Sequence, residues 1–329
     1  MKFEGKAFYN LIKINALEDP SFTAKPWQKE DLETIETIDL LNRINSLGYS
    51  FDEESLKNII EESDSPEDLA IILYHDDDID VEEKVYLLIF ELWRRLCPEK
   101  ETLSIFCDRL DHLMLAYDQE TLDDDEPLVD ALKELENIFD GSVDSGIASA
   151  DVLNSISPYM AHDVETFLCD FILDQIDSEN LTYASELIDG FCPYIKDKLW
   201  FDFLRLNLLF TQDSQEASLM ADRLIDDLRE HPDLELLFAL LRSLVHVSET
   251  ETFLQAFVLA CHQIHVESEF RELLDIALDY FSALDMEEEE GTLDALLKGR
   301  TAPLDAPFDP HDPDFETLND LFLRKFSTL

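Results

Sequence analysis

Ile156-Ser157-Pro158-Tyr159-Met160 returns 35 residues later as Phe191-Cys192-Pro193-Tyr194-Ile195. A second echo begins at Glu165-Thr166-Phe167-Leu168, with Phe171 and Leu173 following. It returns 86 residues later as Glu251-Thr252-Phe253-Leu254, with Phe257 and Leu259 following. Because 86 is not a multiple of 35, the repeat is degenerate or carries insertions. Between Pro158 and Gly299 the apolar residues recur at helical spacing, which predicts consecutive pairs of amphipathic helices. A helical pair of this size cannot bury its apolar face alone, so stacking of neighbours must build the core. The expected fold is all-α, with helical hairpins stacked as an irregular α-solenoid.

Composition supports that class. Only 7 Gly occur in 329 residues, too few for a turn-dense sheet protein, and Gly48, Gly141, Gly190 and Gly299 fall where helical patterns end, as left-handed C-caps do. The chain is 46% hydrophobic with 22 Phe, enough apolar surface to fold despite its charge. That charge is −52, from 76 acidic and 24 basic residues, and Lys133 is the only basic residue between Asp111 and Tyr194. Such a surface repels phosphates, whether of nucleic acid or anionic lipid, and attracts basic proteins, basic peptides and divalent cations. A plainer reading is that the acid serves solubility alone.

The five cysteines are odd in number and mostly set in apolar helical faces, consistent with free buried thiols in a reducing compartment. Charges at Glu4, Lys6 and Lys13 interrupt any signal-peptide core. The apolar run Leu236–Leu241 is far shorter than the ~20 residues a membrane span requires. A cytoplasmic protein without membrane insertion is expected.

Along the chain, three regions are predicted: an N-terminal helical subdomain at 1–140, a helical-repeat region at 147–299, and a Pro-rich segment with a capping helix at 300–329. Helices are expected over 3–16 and 31–47, the latter with Ile35, Ile38, Leu41 and Ile44 on its buried stripe. Ser50-x-x-Glu53 reads as a capping box, Ser65-Pro66 as a helix start and Asp80-x-x-Glu83 as another. The helix carrying Val81, Val85, Leu88, Ile89, Leu92 and Leu96, broken at Pro98, is expected to form a hairpin with the next one, which carries Phe106, Leu110 and Met114. Gly141 to Gly146 reads as a loop between subdomains. Further helices are expected near 159–176, 180–190, 194–211, 214–230, 233–247, 250–264 and 267–284, with cap chemistry at Asp213-x-x-Glu216 and Ser248-x-x-Glu251. The prolines at 303, 307, 310 and 313 imply an extended segment ahead of a helix bearing Phe315, Leu318, Phe322 and Phe326.

The segment Glu216-Ala217-Ser218-Leu219-Met220-Ala221-Asp222-Arg223-Leu224-Ile225-Asp226-Asp227-Leu228-Arg229-Glu230-His231-Pro232-Asp233 resembles the second helix of a tetratricopeptide-like repeat with its terminal Pro. The preceding helix departs from that pattern, carrying Leu206, Leu208 and Leu209 where the family has small residues. The resemblance implies a superhelix of hairpins that binds peptides along a concave face, and no functional residue carries over with it.

Motifs for chemistry are sparse. His262-x-x-His265 beside Cys261 has metal-like spacing but lacks the Glu of a zinc-protease helix and any Cys pair. The run Asp76-Asp77-Asp78-Ile79-Asp80 has alternating carboxylates but neither the Gly nor the bidentate Glu of a calcium loop. Asp309 to Asp314 is equally short of ligands with fixed geometry. No phosphate loop or nucleophile elbow occurs, so the reading is a non-enzyme with no cofactor and no metal. The expected function is an acidic helical-repeat scaffold, an adaptor or cargo chaperone, that binds a basic protein or peptide. Asp76, Asp77, Asp78, Asp123, Asp124, Asp125 and Glu126 are its candidate contact residues. The alternatives are a nucleic-acid mimic that inhibits a DNA-binding protein, which demands an ordered stripe of acids, and an enzyme whose site is assembled between hairpins.

Overall fold

A computed structural model describes residues 4–19, 21–74, 78–212, 214–245, 247 and 250–326. Among these residues lie seventeen α-helices and no strand, apart from one isolated antiparallel bridge between Val266 and Pro307. The chain is all-α, with helical hairpins stacked on one another. It divides into two units, Met1–Leu168 with Pro193–Ile195, and Cys169–Cys192 with Lys196–Leu329.

The first unit holds α1 (Lys6–Glu18), α2 (Thr37–Ser46), α3 (Glu53–Glu62), α4 (Pro66–Leu73), α5 (Ile79–Leu96), α6 (Leu103–Asp118), α7 (Glu126–Asp144) and α8 (Ser149–Ile156), then the start of α9 (Val164–Asp177). Every residue of α5 from Val85 to Trp93 is buried. A helix with no wet stripe belongs inside a bundle, and α5 is enclosed by α2, α3 and α4. The predicted hairpin of α5 with α6 is therefore corrected: α6 packs on α1 and α7 instead. The helix expected over 31–47 is two pieces, a 3-10 turn at Leu32–Thr34 and α2, which buries Leu40, Leu41 and Ile44 and leaves Ile38 60% exposed.

Capping follows local chemistry. Gly48 ends α2 with φ +104, a conformation that glycine adopts without a Cβ penalty. The capping box of α3 is formed by Asp52 and Ser55, two residues beyond the predicted pair. Ser65 caps α4 with Pro66 at the first helical position, as expected, and Asp78 rather than Asp80 caps α5. Gly141 lies within α7, and the turn comes at Gly146, with φ +101; the predicted loop starts several residues too early. Gly190 and Gly299 likewise sit inside helices.

The second unit continues with α10 (Leu181–Phe191), α11 (Lys198–Gln212), α12 (Ser214–Glu230), α13 (Leu234–Val245), α14 (Thr250–Cys261), α15 (Glu267–Ala283), α16 (Glu287–Gly299) and α17 (Pro313–Phe326). Three hairpins result, α11 with α12, α13 with α14 and α15 with α16. The first helices of the pairs, α11, α13 and α15, pack in succession, and α12 packs on α14. Ala217 and Ala221 on α12 and Ala256 and Ala260 on α14 are buried at four-residue spacing, where a small side chain lets helix axes approach. Both copies of the Pro-Tyr echo fall in connections: Ser157–Tyr159 is a 3-10 turn, and Cys192–Tyr194 a turn after α10. The predicted caps at Asp213 and Ser248 lie outside the described residues.

The Pro-rich segment is irregular and not extended throughout, since Ala306 N donates to Pro303 O and Asp312 N to Asp309 O, closing two turns. It runs beside the start of α15, where Glu267 N donates to Ala306 O, Ser268 N to Leu304 O and Phe308 N to His265 O. α17 then lays Phe322 against Phe257, 4.0 Å between ring centroids, and against Phe281 at 4.9 Å.

Candidate functional site

In the first unit, α6 turns Ile105, Asp108, Arg109, His112 and Leu113 toward one side, a spacing of three and four residues that shares a helix face. Together with Arg94, Cys97 and Pro98 at the end of α5, and with Lys100, Glu101 and Glu33, they line a cleft of about 350 Å³. Glu33 reaches it from the 3-10 turn, and Arg95 explains why. Its guanidinium donates to the carbonyls of Ile35 (2.6 Å), Leu32 (3.0 Å) and Glu33 (3.0 Å), and its Nε bonds Glu91. A short irregular turn leaves carbonyls unpaired, and the planar fork of one arginine collects three of them.

Arg94 spans Glu91 and Glu33, at 2.9 and 3.3 Å. Arg109 bridges Glu101 and Glu134 and lies over the Phe106 ring. Lys100 donates to the carbonyls of Ile60 (3.0 Å) and Glu61 (2.9 Å) at the end of α3, where a cation suits the helix dipole. Each cation that lines the cleft is thus engaged by the protein itself.

Behind the cleft lies a buried polar network. Asn10 on α1 donates to Asp108 at 2.8 Å and to Asp111 at 3.2 Å, and Lys6 pairs with Asp108 at 3.0 Å. Burial opposes the charge on Asp108, yet the Lys6 ammonium, His112 and the Asn10 amide outweigh it and hold the carboxyl below its ordinary value. Asp111, 2% exposed, accepts from the backbone N–H of Ala161 (2.8 Å) and His162 (3.1 Å) and sits 3.2 Å from His162 Nδ1. A single carboxylate thereby ties the turn ahead of α9 to α6. On the other side of the imidazole, Nε2 faces Asp118 at 4.0 Å, and burial raises the Asp118 carboxyl although His162 works the other way. Lys13, beside the same crevice, is lowered by burial and by the neighbouring Lys6.

Among the described residues, one group of three side chains brings metal-capable ligand atoms together: Glu33, Asp108 and His112, all within 4.8 Å of one another. The sequence reading missed it. Asp108 and His112 are visible as an i, i+4 pair, but Glu33 lies far upstream and only the fold delivers it. His262 and His265 do not converge: His262 Nδ1 donates to Val258 O at 2.7 Å, and the backbone of His265 carries Glu269 and Phe308.

Of the predicted contact residues, Asp76 and Asp77 lie outside the described residues. Asp78 is exposed and accepts from Asp80 N at 3.0 Å. Asp123, Asp124, Asp125 and Glu126 are all exposed at the entry to α7, with Asp124 accepting from Glu126 N. None of these five lines the cleft. Near the C-terminus, Asp312 and Asp314 pair with Arg300, an arrangement that needs no ion. No described helix is long and apolar enough to cross a membrane. Compared with known proteins, the chain matches no family model, no curated protein and no solved structure.

Proposed function

We propose that the protein is an acidic helical-repeat scaffold, of tetratricopeptide-like architecture, that binds a basic protein or peptide without chemistry of its own. One observation carries this reading: the arginines are already used. Ten of the eleven arginines pair with a carboxylate of the same chain. Only seven of the described acidic residues are buried. With 76 acidic against 24 basic residues, the negative charge exceeds what the chain's own cations can neutralise, and most of the described acidic residues are outside the core. Self-repulsion of this kind destabilises the compact state, and a polycationic partner relieves it while its approach is accelerated by the field.

Asp78 and the Asp123–Glu126 cluster are the exposed contacts we assign to first encounter. The test is anisotropy of a labelled Lys/Arg-rich peptide, titrated with the intact protein at low and at physiological salt. Affinity should fall by about tenfold or more across that range, and neutralising Asp123, Asp124 and Asp125 to Asn should slow association. Affinity that ignores salt, or equal binding of an uncharged peptide of the same length, refutes the proposal. A client that is instead displaced by duplex DNA transfers the chain to the nucleic-acid-mimic class.

A further inference from the structure

We propose that Glu33, Asp108 and His112 form a site for one divalent first-row transition ion, represented here by Zn²⁺. This inference is independent of the scaffold reading. His112 Nδ1 is 2.7 Å from the carbonyl oxygen of Asp108, which can only accept, so the proton of the singly protonated ring is on Nδ1. Nε2 then carries a lone pair. A ring nitrogen fixed by a backbone carbonyl, with its opposite nitrogen left open, is how metal-binding imidazoles are usually oriented.

That lone pair faces a carboxylate oxygen. Nε2 lies 3.7 Å from Glu33 Oε1; in the imidazolium this is an ion pair, and a divalent ion takes the place of the Nε2 proton. Bond lengths of about 2.0–2.1 Å to Zn²⁺ at a tetrahedral angle put neighbouring ligand atoms about 3.3 Å apart, so a small closure suffices. Asp108 completes the set. Its Oδ1 takes Asn10 and Lys6, while Oδ2 has no hydrogen-bond donor among the described residues, in a side chain only 3% exposed. Two carboxylates match the charge of a divalent ion, and the cleft leaves a route of entry and a place for water as fourth ligand.

Two cations compete with the ion and lower its affinity without closing the site. Arg94 approaches Glu33 but keeps Glu91 at 2.9 Å when Glu33 turns, and Lys6 remains on Oδ1. Selectivity follows from donor type. The imidazole nitrogen favours Zn²⁺, whereas carboxylates elsewhere on this surface offer only oxygen, which suits Ca²⁺ and Mg²⁺.

Calorimetric titration of the intact protein with Zn²⁺ at neutral pH, in about 0.15 M salt with millimolar Mg²⁺ to occupy unspecific carboxylates, tests this. One equivalent should bind, and His112→Ala and Glu33→Gln should each weaken it at least about tenfold, with His262→Ala unchanged. Glu33 is on a surface turn and its Gln variant keeps the shape, so undiminished binding by that variant overturns the site whatever happens to the His112 variant. Absence of a one-equivalent phase, or its loss on His262→Ala instead, overturns it as well.

Discussion

Arg300 gathers three carboxylates and an aromatic ring in the second unit. Only 8% of its side chain is exposed, and it bonds Glu267 twice, Asp312 and Asp314 at 3.0 Å each, with its guanidinium 4.6 Å from the centre of the Phe270 ring. Removing one partner of a buried pair strands the other charge, which costs more than the pair itself contributes. Arg300→Ala should destabilise the unit by about 2–4 kcal/mol, softened because Arg271 still holds Glu267 at 2.8 Å. Hydrogen bonds from Arg300, then from Arg271, hold the Glu267 carboxyl below its ordinary value against the effect of burial. A carboxylate depressed in the folded state contributes stability above its unfolded pKa and loses it as pH falls through the lower folded value. Denaturation of wild type and variant at neutral and at acid pH should therefore show the gap narrowing on the acid side. A gap that is constant with pH would assign the loss to packing on Phe270 alone.

At the scale of the element, α17 is held by its aromatic stripe. Phe322 is 5% exposed and meets rings from both α14 and α15, including Phe253 and Tyr280, which stack 3.7 Å apart. Phe322→Ala should cost about 3–5 kcal/mol of docking. Cys261 offers a local probe, since its thiol sits 3.8 Å from Asn319 on α17 and burial pushes it up to about 12. At neutral pH it should resist alkylation in the wild type and react faster in Phe322→Ala, measured by mass spectrometry of the labelled peptide. Equal labelling rates would mean that α17 stays docked without its central ring. Leu318, fully buried one turn earlier, then becomes the anchor to test.

For the whole molecule, a net charge of −52 sets the response to salt. Many of the ion pairs have both partners exposed, and each such pair contributes only about 0–1 kcal/mol. Repulsion among the surplus carboxylates is spread over the whole surface and is screened within about 8–10 Å at physiological ionic strength. Adding neutral salt should thus raise the midpoint of thermal unfolding, whereas a protein held mainly by surface pairs would lose stability. A scan from low to moderate salt in a non-binding buffer decides between the two, and a falling midpoint contradicts the account.

Much of this protein was determined by its sequence alone. Apolar residues at helical spacing, scarce Gly, Ser65-Pro66 and the four prolines of the tail dictate helices, one of their starts and the break in helix over the tail, because these are local effects of periodicity and backbone chemistry. Which helices become partners was not local. The sequence pattern shows one strong stripe on α5, while burial on every side, from Tyr86, Phe90 and Trp93, is what places it within the bundle. The same holds for Glu33, Asp108 and His112: two of them share a helix face by spacing, and the third arrives because Arg95 gathers the carbonyls of a remote turn. Local periodicity is written in consecutive residues, but convergence of distant side chains exists only once the apolar faces have chosen their neighbours.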